Sequence, residues 1–296
     1  MKGSSGADAT PFTVVIPAFN EETVISACLE SVFDGMPLDA NCEVIVVANG
    51  CRDRTADIAR AFDRRIRVIE IAQGSKTNAI NQANRAATRA PRIFLDADVK
   101  CDYRSLSALA KILGDPDVLA AVPQVRIDTD GADALVKAYY RVWLRQPFAA
   151  SALGGTGCFG LSARALRKLG SFPEIIADDL WAMSRFPPEN RRIVTSDDDG
   201  NPVYSTVTAP KSFLSQIRVE SRRHSGSLQV RREYPTPNLS LTGKATIIPT
   251  AKGSGTSTMD AAIFLAMKAA ARLKSKWRAV RGAQTVWTRD LSTRMP

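Results

Sequence analysis

Asp96-Ala97-Asp98 has the plainest chemistry in the chain. It closes the apolar run 92–95, and in an extended segment residues two apart point the same way, so both carboxylates face one side. Two carboxylates at the end of a buried strand repel each other unless a cation lies between them. Mg2+ or Mn2+ suits such oxygen ligands and keeps positions open for phosphate oxygens. A solvated loop pair is the plain alternative. Asn20-Glu21-Glu22 and Asn49-Gly50 also follow apolar runs. The first reads equally as a helix cap with acids in the first turn, and the second as a turn. Asp178-Asp179 precede a helical stretch, where a cap and a dipole-favoured acid are the plain reading. His224, the single histidine, ends a segment that also holds Arg218, Arg222 and Arg223.

These residues must be positioned by the elements before them. Residues 12–17, 42–48, 67–71 and 92–95 read as strands, and 22–33, 55–62 and 76–88 as helices. Continuous apolar strands separated by helices predict an α/β fold with a mostly parallel central sheet and helices on both faces. Such sheets bind ligands beyond the carboxyl ends of their strands. Beyond residue 100 the pattern loosens. Helices are expected at 104–113, 132–145 and 179–185, strands at 118–127 and 158–161, and loops with short strands over 186–210. The expected organisation is a flexible lead over 1–10 and a main domain over 11–225. Its halves divide near residue 100. A flap or linker follows over 226–258, then a basic amphipathic helix and tail over 259–296.

The 296 residues are 45% hydrophobic and 24% charged. That length and usage support a sizeable core, excluding disordered, collagenous and disulfide-stapled classes. Five cysteines without a CxxC pair suggest neither a disulfide framework nor a zinc site. With no secretory signal and no spanning run at the start or elsewhere, a cytoplasmic location is expected. Charge is uneven: residues 1–210 carry 24 Lys/Arg against 26 Asp/Glu, whereas residues 211–296 carry 16 against 4. The C-terminal third is therefore expected to meet something anionic.

Taken in order, VVIPAFNEE, VVANGCRDRT, GSKTNAINQA, IFLDADV, GGTGCFGLSARAL and Ile176-Ala177-Asp178-Asp179-Leu180 resemble the family 2 glycosyltransferases with the GT-A fold. The resemblance spans roughly residues 11–225. It implies a metal-dependent, inverting transfer of a sugar from a nucleoside-diphosphate sugar, with UDP the commoner nucleotide, to an acceptor hydroxyl on a lipid-linked sugar or glycan. By that resemblance Pro17, Ala18, Asn20 and Glu21 form the nucleotide-binding first loop. Asn49 stands where many relatives carry an Asp against the base. Lys76 lies near the nucleotide, and Asp96, with Ala97 beside it, contacts the ribose or a metal-bound water. Asp98 binds Mn2+ or Mg2+ directly. Gly155, Thr156, Gly157 and Trp181 belong to the acceptor side. Asp179 is the general base, with Asp178 orienting the acceptor. Arg218, Arg222 and Arg223 offset the leaving diphosphate, and His224 is a second metal ligand, since imidazole suits Mn2+.

Met259, Ile263, Ala266, Ala270, Leu273, Trp277 and Val280 form one apolar stripe in a strongly basic stretch. Docking on the chain's own domain, peripheral binding to the anionic inner face of a membrane, and binding to a protein partner all remain open for it. Other open readings are a retaining GT-A transferase, a sugar-phosphate nucleotidyltransferase and, outside enzymes, a basic nucleic-acid-binding protein. No nucleic-acid module is apparent, so no nucleic-acid partner is expected.

Overall fold

The computed structural model describes residues 10–146, 152–154, 156–239 and 255–280. In chain order the elements begin β1 (Phe12–Ala18), α1 (Ile25–Phe33), β2 (Cys42–Asn49), α2 (Thr55–Phe62), β3 (Ile66–Ile71), α3 (Lys76–Ala86) and β4 (Arg92–Leu95). They continue β5 (Val99–Lys100), α4 (Tyr103–Ile112), β6 (Ala120–Asp128), α5 (Ala134–Trp143), β7 (Cys158–Leu161) and α6 (Ala163–Leu169). The last are α7 (Asp178–Ser184), β8 (Arg191–Val194), β9 (Tyr204–Thr208), α8 (Phe213–Glu233) and α9 (Thr258–Val280).

The chain divides into two compact units. The first comprises 1–126, 155–174 and 185–207, and the second 127–154, 175–184 and 208–296. The chain passes between the units several times, which a linear reading of composition does not show.

The first unit is built on the mixed sheet, whose strands among the described residues run β3-β2-β1-β4-β7-β6-β9-β5, with β8 beside β6. β1, β2, β3 and β4 are mutually parallel, and β7 runs antiparallel to β4. Apolar β-branched residues on both faces suit strands covered on both sides. On one face Val14, Ile16, Val46 and Leu95 share a core with Leu29 of α1, Ala59 of α2 and Leu109 of α4. α3 packs against β1 and β2 through Ala79, Ile80 and Ala83. Phe94, pointing the opposite way from Leu95, stacks on Phe159 at 4.9 Å. The strand order reverses at β1: β2 and β3 lie on one side, β4 on the other. Ligands of open α/β sheets sit beyond the carboxyl ends at such a reversal.

The second unit is helical. α9 packs along α5 and α8, and α7 packs on α8. Asp133 ties two of these together. One carboxylate oxygen caps α5 by accepting from Val136 N at 2.8 Å, and the other accepts from Phe213 N at 2.7 Å, where α8 begins. The residues expected to open the flap, 226–233, are the last turns of α8. Their helical period was hidden because the face α8 buries is largely polar: Ser215, Gln216, Glu220 and Ser221. No helix among the described residues is long and apolar enough to cross a membrane. The lead over 1–9, most of the flap (240–254) and the tail (281–296) lie outside the described residues.

Candidate active site

The loops after β1 and β2 are knitted to each other at the carboxyl edge of the sheet. Asn20 adopts φ 49, a left-handed conformation that Asn tolerates. Its side-chain oxygen accepts from Arg52 N at 2.6 Å, and its own N–H points to Cys51 Sγ at 3.3 Å. Glu21 N donates to Thr55 Oγ1 at 2.6 Å, and Glu22 N to Asp53 Oδ2 at 3.1 Å. Asn49 is buried, and its amide donates to Ala18 O at 2.8 Å. The motif residues thus hold the shape of a double loop whose backbone follows β1 and β2. Pro17, Ala18 and Glu21 are buried in it. Cys51, Asp53 and Thr55 join this scaffold without having been singled out as site residues. Their neighbours lie some thirty residues away along the chain, so local spacing gives no sign of them.

After β4, Asp96 meets the first residue of α3: Lys76 Nζ lies 2.7 Å from Asp96 Oδ1. Ser75 caps α3 by accepting from Asn78 N, which fixes the turn that aims Lys76. Asp96 N donates to Gly157 O at 2.8 Å. Gly157 has φ +84, and a Cβ there would meet Val99 Cγ2 at 2.6 Å and Asp96 Oδ2 at 3.4 Å. Glycine is therefore required for the β7 entry to lie against Asp96. Thr156 precedes it with φ 41, whereas Gly155 lies outside the described residues. Ala97 is buried and Asp98 exposed. The Cys28 thiol beneath them is pushed up by burial first, then by the carboxylates of Asp98 and Asp96.

No three His, Cys, Asp or Glu side chains among the described residues converge into a metal cage. The donor set here is one exposed carboxylate, Asp98, beside a second already paired with Lys76. That fits a hard divalent cation held mainly by phosphate oxygens and water rather than by protein.

In the second unit Asp178 is buried and Asp179 half-buried at the start of α7. Asp179 Oδ1 accepts from Leu180 N at 2.7 Å, and Oδ2 would lie 3.6 Å from a Cβ on Gly154. The segment before them is held by α8. Gln229 Oε1 accepts from Ile176 N at 3.2 Å, and a Cβ on Gly226 would stand 3.1 Å from both Ala177 Cβ and Ile176 Cγ2. Trp181 is buried, with its ring 6.3 Å from that of Tyr234.

The arginine-rich segment does not act as one group. Arg218 is exposed and Arg222 half-buried. Arg223 lies 3.4 Å from Glu220 and over the Trp143 ring, so its charge is committed within the unit. Burial tends to raise the Glu220 pKa, but Lys268 at 2.5 Å and Arg223 outweigh it and hold the carboxyl below its usual range. His224 is held below its ordinary value by burial, then by the nearby cations Arg272 and Lys268. The Glu220 carboxylate acts in the opposite sense on the same imidazole.

The Glycosyl transferase family 2 model matches residues 13–169, more than half of the chain. EpsJ of Bacillus subtilis, described as an uncharacterized glycosyltransferase, is 32% identical over 103 residues, covering 34% of this chain and 28% of EpsJ. The glycosyltransferase AglE of Haloferax volcanii is 37% identical over 93 residues, covering 30% of this chain and 31% of AglE. The matched part therefore spans under a third of these relatives. Among solved structures, the mannosyltransferase PcManGT from Pyrobaculum calidifontis, in complex with GDP-Man and Mn2+, superposes with a TM-score of 0.59. It is 22% identical, and the match covers 95% of this chain and 78% of that one. That likeness supports the GT-A fold.

Proposed function

Because the chain belongs to glycosyl transferase family 2, we propose that it moves a sugar from a nucleoside-diphosphate sugar, UDP favoured, to an acceptor hydroxyl, with inversion at the anomeric carbon. The carrying observation is the Lys76–Asp96 pair at 2.7 Å, at the strand reversal where the β1 and β2 loops also end. A lysine held by a carboxylate is fixed in direction yet stays a cation. A diphosphate or ribose can then share the pair without moving either side chain far.

In this reading the loops carrying Pro17, Ala18, Asn20, Glu21 and Asn49 hold base and ribose. Asn49 offers a carboxamide rather than a carboxylate, so it does not repel an electron-rich base edge. Asp96 takes the ribose side, and Asp98 holds Mn2+ or Mg2+. When bound, that ion neutralises charge growing on the leaving diphosphate. Lys76 adds a fixed positive charge there, and Arg218 and Arg222 supply further cations. Asp179 removes the proton of the acceptor hydroxyl as the new bond forms, while Asp178 orients the acceptor and Thr156, Gly157 and Trp181 contribute to its binding. The acceptor class proposed is a lipid-linked sugar or glycan end.

The test is a thermal-shift panel of UDP, GDP, dTDP, CDP and CMP, each with and without Mn2+, followed by a donor-hydrolysis and transfer assay. A ligand at roughly 100 times its dissociation constant adds about 2.7 kcal/mol to the folded state. The expected result is a Mn2+-dependent rise with UDP above the others. A flat panel rejects the nucleotide-sugar reading. A rise with GDP alone keeps the transferase and overturns the UDP assignment.

A further inference from the structure

Helix α9 carries two apolar faces. The inner one is Phe264, Met267 and Ala271, each almost fully buried, with the Phe264 ring 5.0 Å from that of Tyr139 on α5. Asp260 anchors the same face. It forms a reciprocal cap with Ser257, and Arg141 of α5 donates to it at 2.5 Å. This face, and not the apolar stripe read from the sequence, docks the helix on its own unit.

The sequence stripe lies largely on the other side. With about 100° per residue, Met259, Ala262, Ala266, Leu273 and Trp277 share the opposite face, and all of them are exposed. Leu273 is 68% and Trp277 56% exposed. Arg272 and Lys276 run along one border of this face and Lys274 along the other, with no acid after Asp260 in the helix. Of the ten large apolar side chains exposed among the described residues, eight lie in the second, smaller unit. Six of those eight fall within residues 211–296, which hold 16 Lys/Arg against 4 Asp/Glu.

We propose that the outer face of α9 lies on an anionic lipid bilayer surface. Its apolar centre would enter the boundary between headgroups and acyl chains, while the Lys and Arg borders extend to lipid phosphates. An apolar centre with basic borders matches an anionic interface in both polarity and charge. Two copies of the chain meeting through this face would bring like charges together, which argues against a homodimer there. The inference uses no residue of the catalytic reading and stands or falls apart from it.

The full chain would be floated with phosphatidylcholine vesicles made with and without phosphatidylglycerol. Co-flotation is expected only with the anionic vesicles and should weaken as salt is raised. Leu273→Glu with Trp277→Glu should lower partitioning at least about tenfold while circular dichroism and melting stay unchanged, because both side chains are already exposed. Trp277→Phe should keep binding but lose the blue shift that Trp277 gives on contact with lipid. Failure of the unaltered chain to float with anionic vesicles overturns the proposal. So does unchanged flotation of the double Glu variant, or a concentration-dependent dimer in sedimentation that this variant abolishes.

Discussion

Asp179 and Asp98 are separable because one is assigned to a proton and the other to a cation. Asp179→Asn keeps size and most hydrogen-bonding capacity but cannot accept the acceptor's proton. Transfer should fall at least about a hundredfold, while donor binding by calorimetry stays within twofold (an expectation on the order of experimental error). Normal turnover in this variant would remove Asp179 as base. Asp98→Ala should abolish the gain in nucleotide affinity on adding Mn2+ and leave metal-free binding in place. A retained Mn2+ gain would place the ion elsewhere. At this scale the sequence was legible where residue type itself carries the chemistry. Asp96 and Asp98 are read from charge and from their place after a strand, Lys76 only from the family resemblance, and the structure brings Lys76 and Asp96 together. Gln229 and Cys51 were illegible because each acts on the backbone of a distant segment. The cations around His224 were likewise illegible, because Arg272 and Lys268 come from α9, more than forty residues on.

Helices α8 and α9 show what elements contribute beyond their side chains. α8 fixes the approach to Asp178-Asp179 through Gly226 and Gln229, so both are positioning residues. Gly226→Ala would press a methyl against Ala177 and Ile176 at 3.1 Å. The catalytic rate should drop about tenfold with the donor KM little changed, because the proposed nucleotide loops belong to the other unit. A change confined to donor KM would reject this role. α9 is held at its start by Asp260, whose pKa of about 2 lies below its ordinary 3.8, chiefly because Arg141 hydrogen-bonds to it. A carboxylate depressed in the folded state contributes stability that is complete above the unfolded value and lost as pH falls through the folded one. Urea melts should therefore show stability falling between about pH 4 and pH 2, and Asp260→Asn should cost about 1–2 kcal/mol at neutral pH while flattening that limb. An unaltered acid limb in the variant would assign it to another group. The β-α alternation to residue 95 was readable because β1 and β2 are nearly continuous apolar runs. α8 was not, because its buried face is polar, and the docking side of α9 was not, because both its faces are apolar.

At the scale of the molecule, the residues proposed for base, ribose and metal belong to the sheet-based unit, and Asp179, with Arg218 and Arg222, to the helical one. Composition could not show this, because the second unit is assembled from three separate stretches of chain. The base, ribose and metal contacts proposed for the nucleotide have a defined address in the sheet-based unit. In hydrogen exchange, UDP with Mn2+ should slow the amides of the loops after β1, β2 and β4 and of the first turn of α3. These are the segments that the bonds of Asn20, Glu21 and Asn49 and the Lys76–Asp96 pair hold in shape. Amides of α9 should exchange as before, since the Asp260 cap and the Phe264–Met267–Ala271 face are satisfied without ligand. Ligand binding to the folded state alone adds the same free energy to every amide that exchanges only by global unfolding. The comparison must therefore rest on amides that exchange by local opening. Protection centred on α9, with the loops after β1 and β4 unchanged, would move the nucleotide out of the sheet-based unit and take the assignments of Asp96 and Lys76 with it.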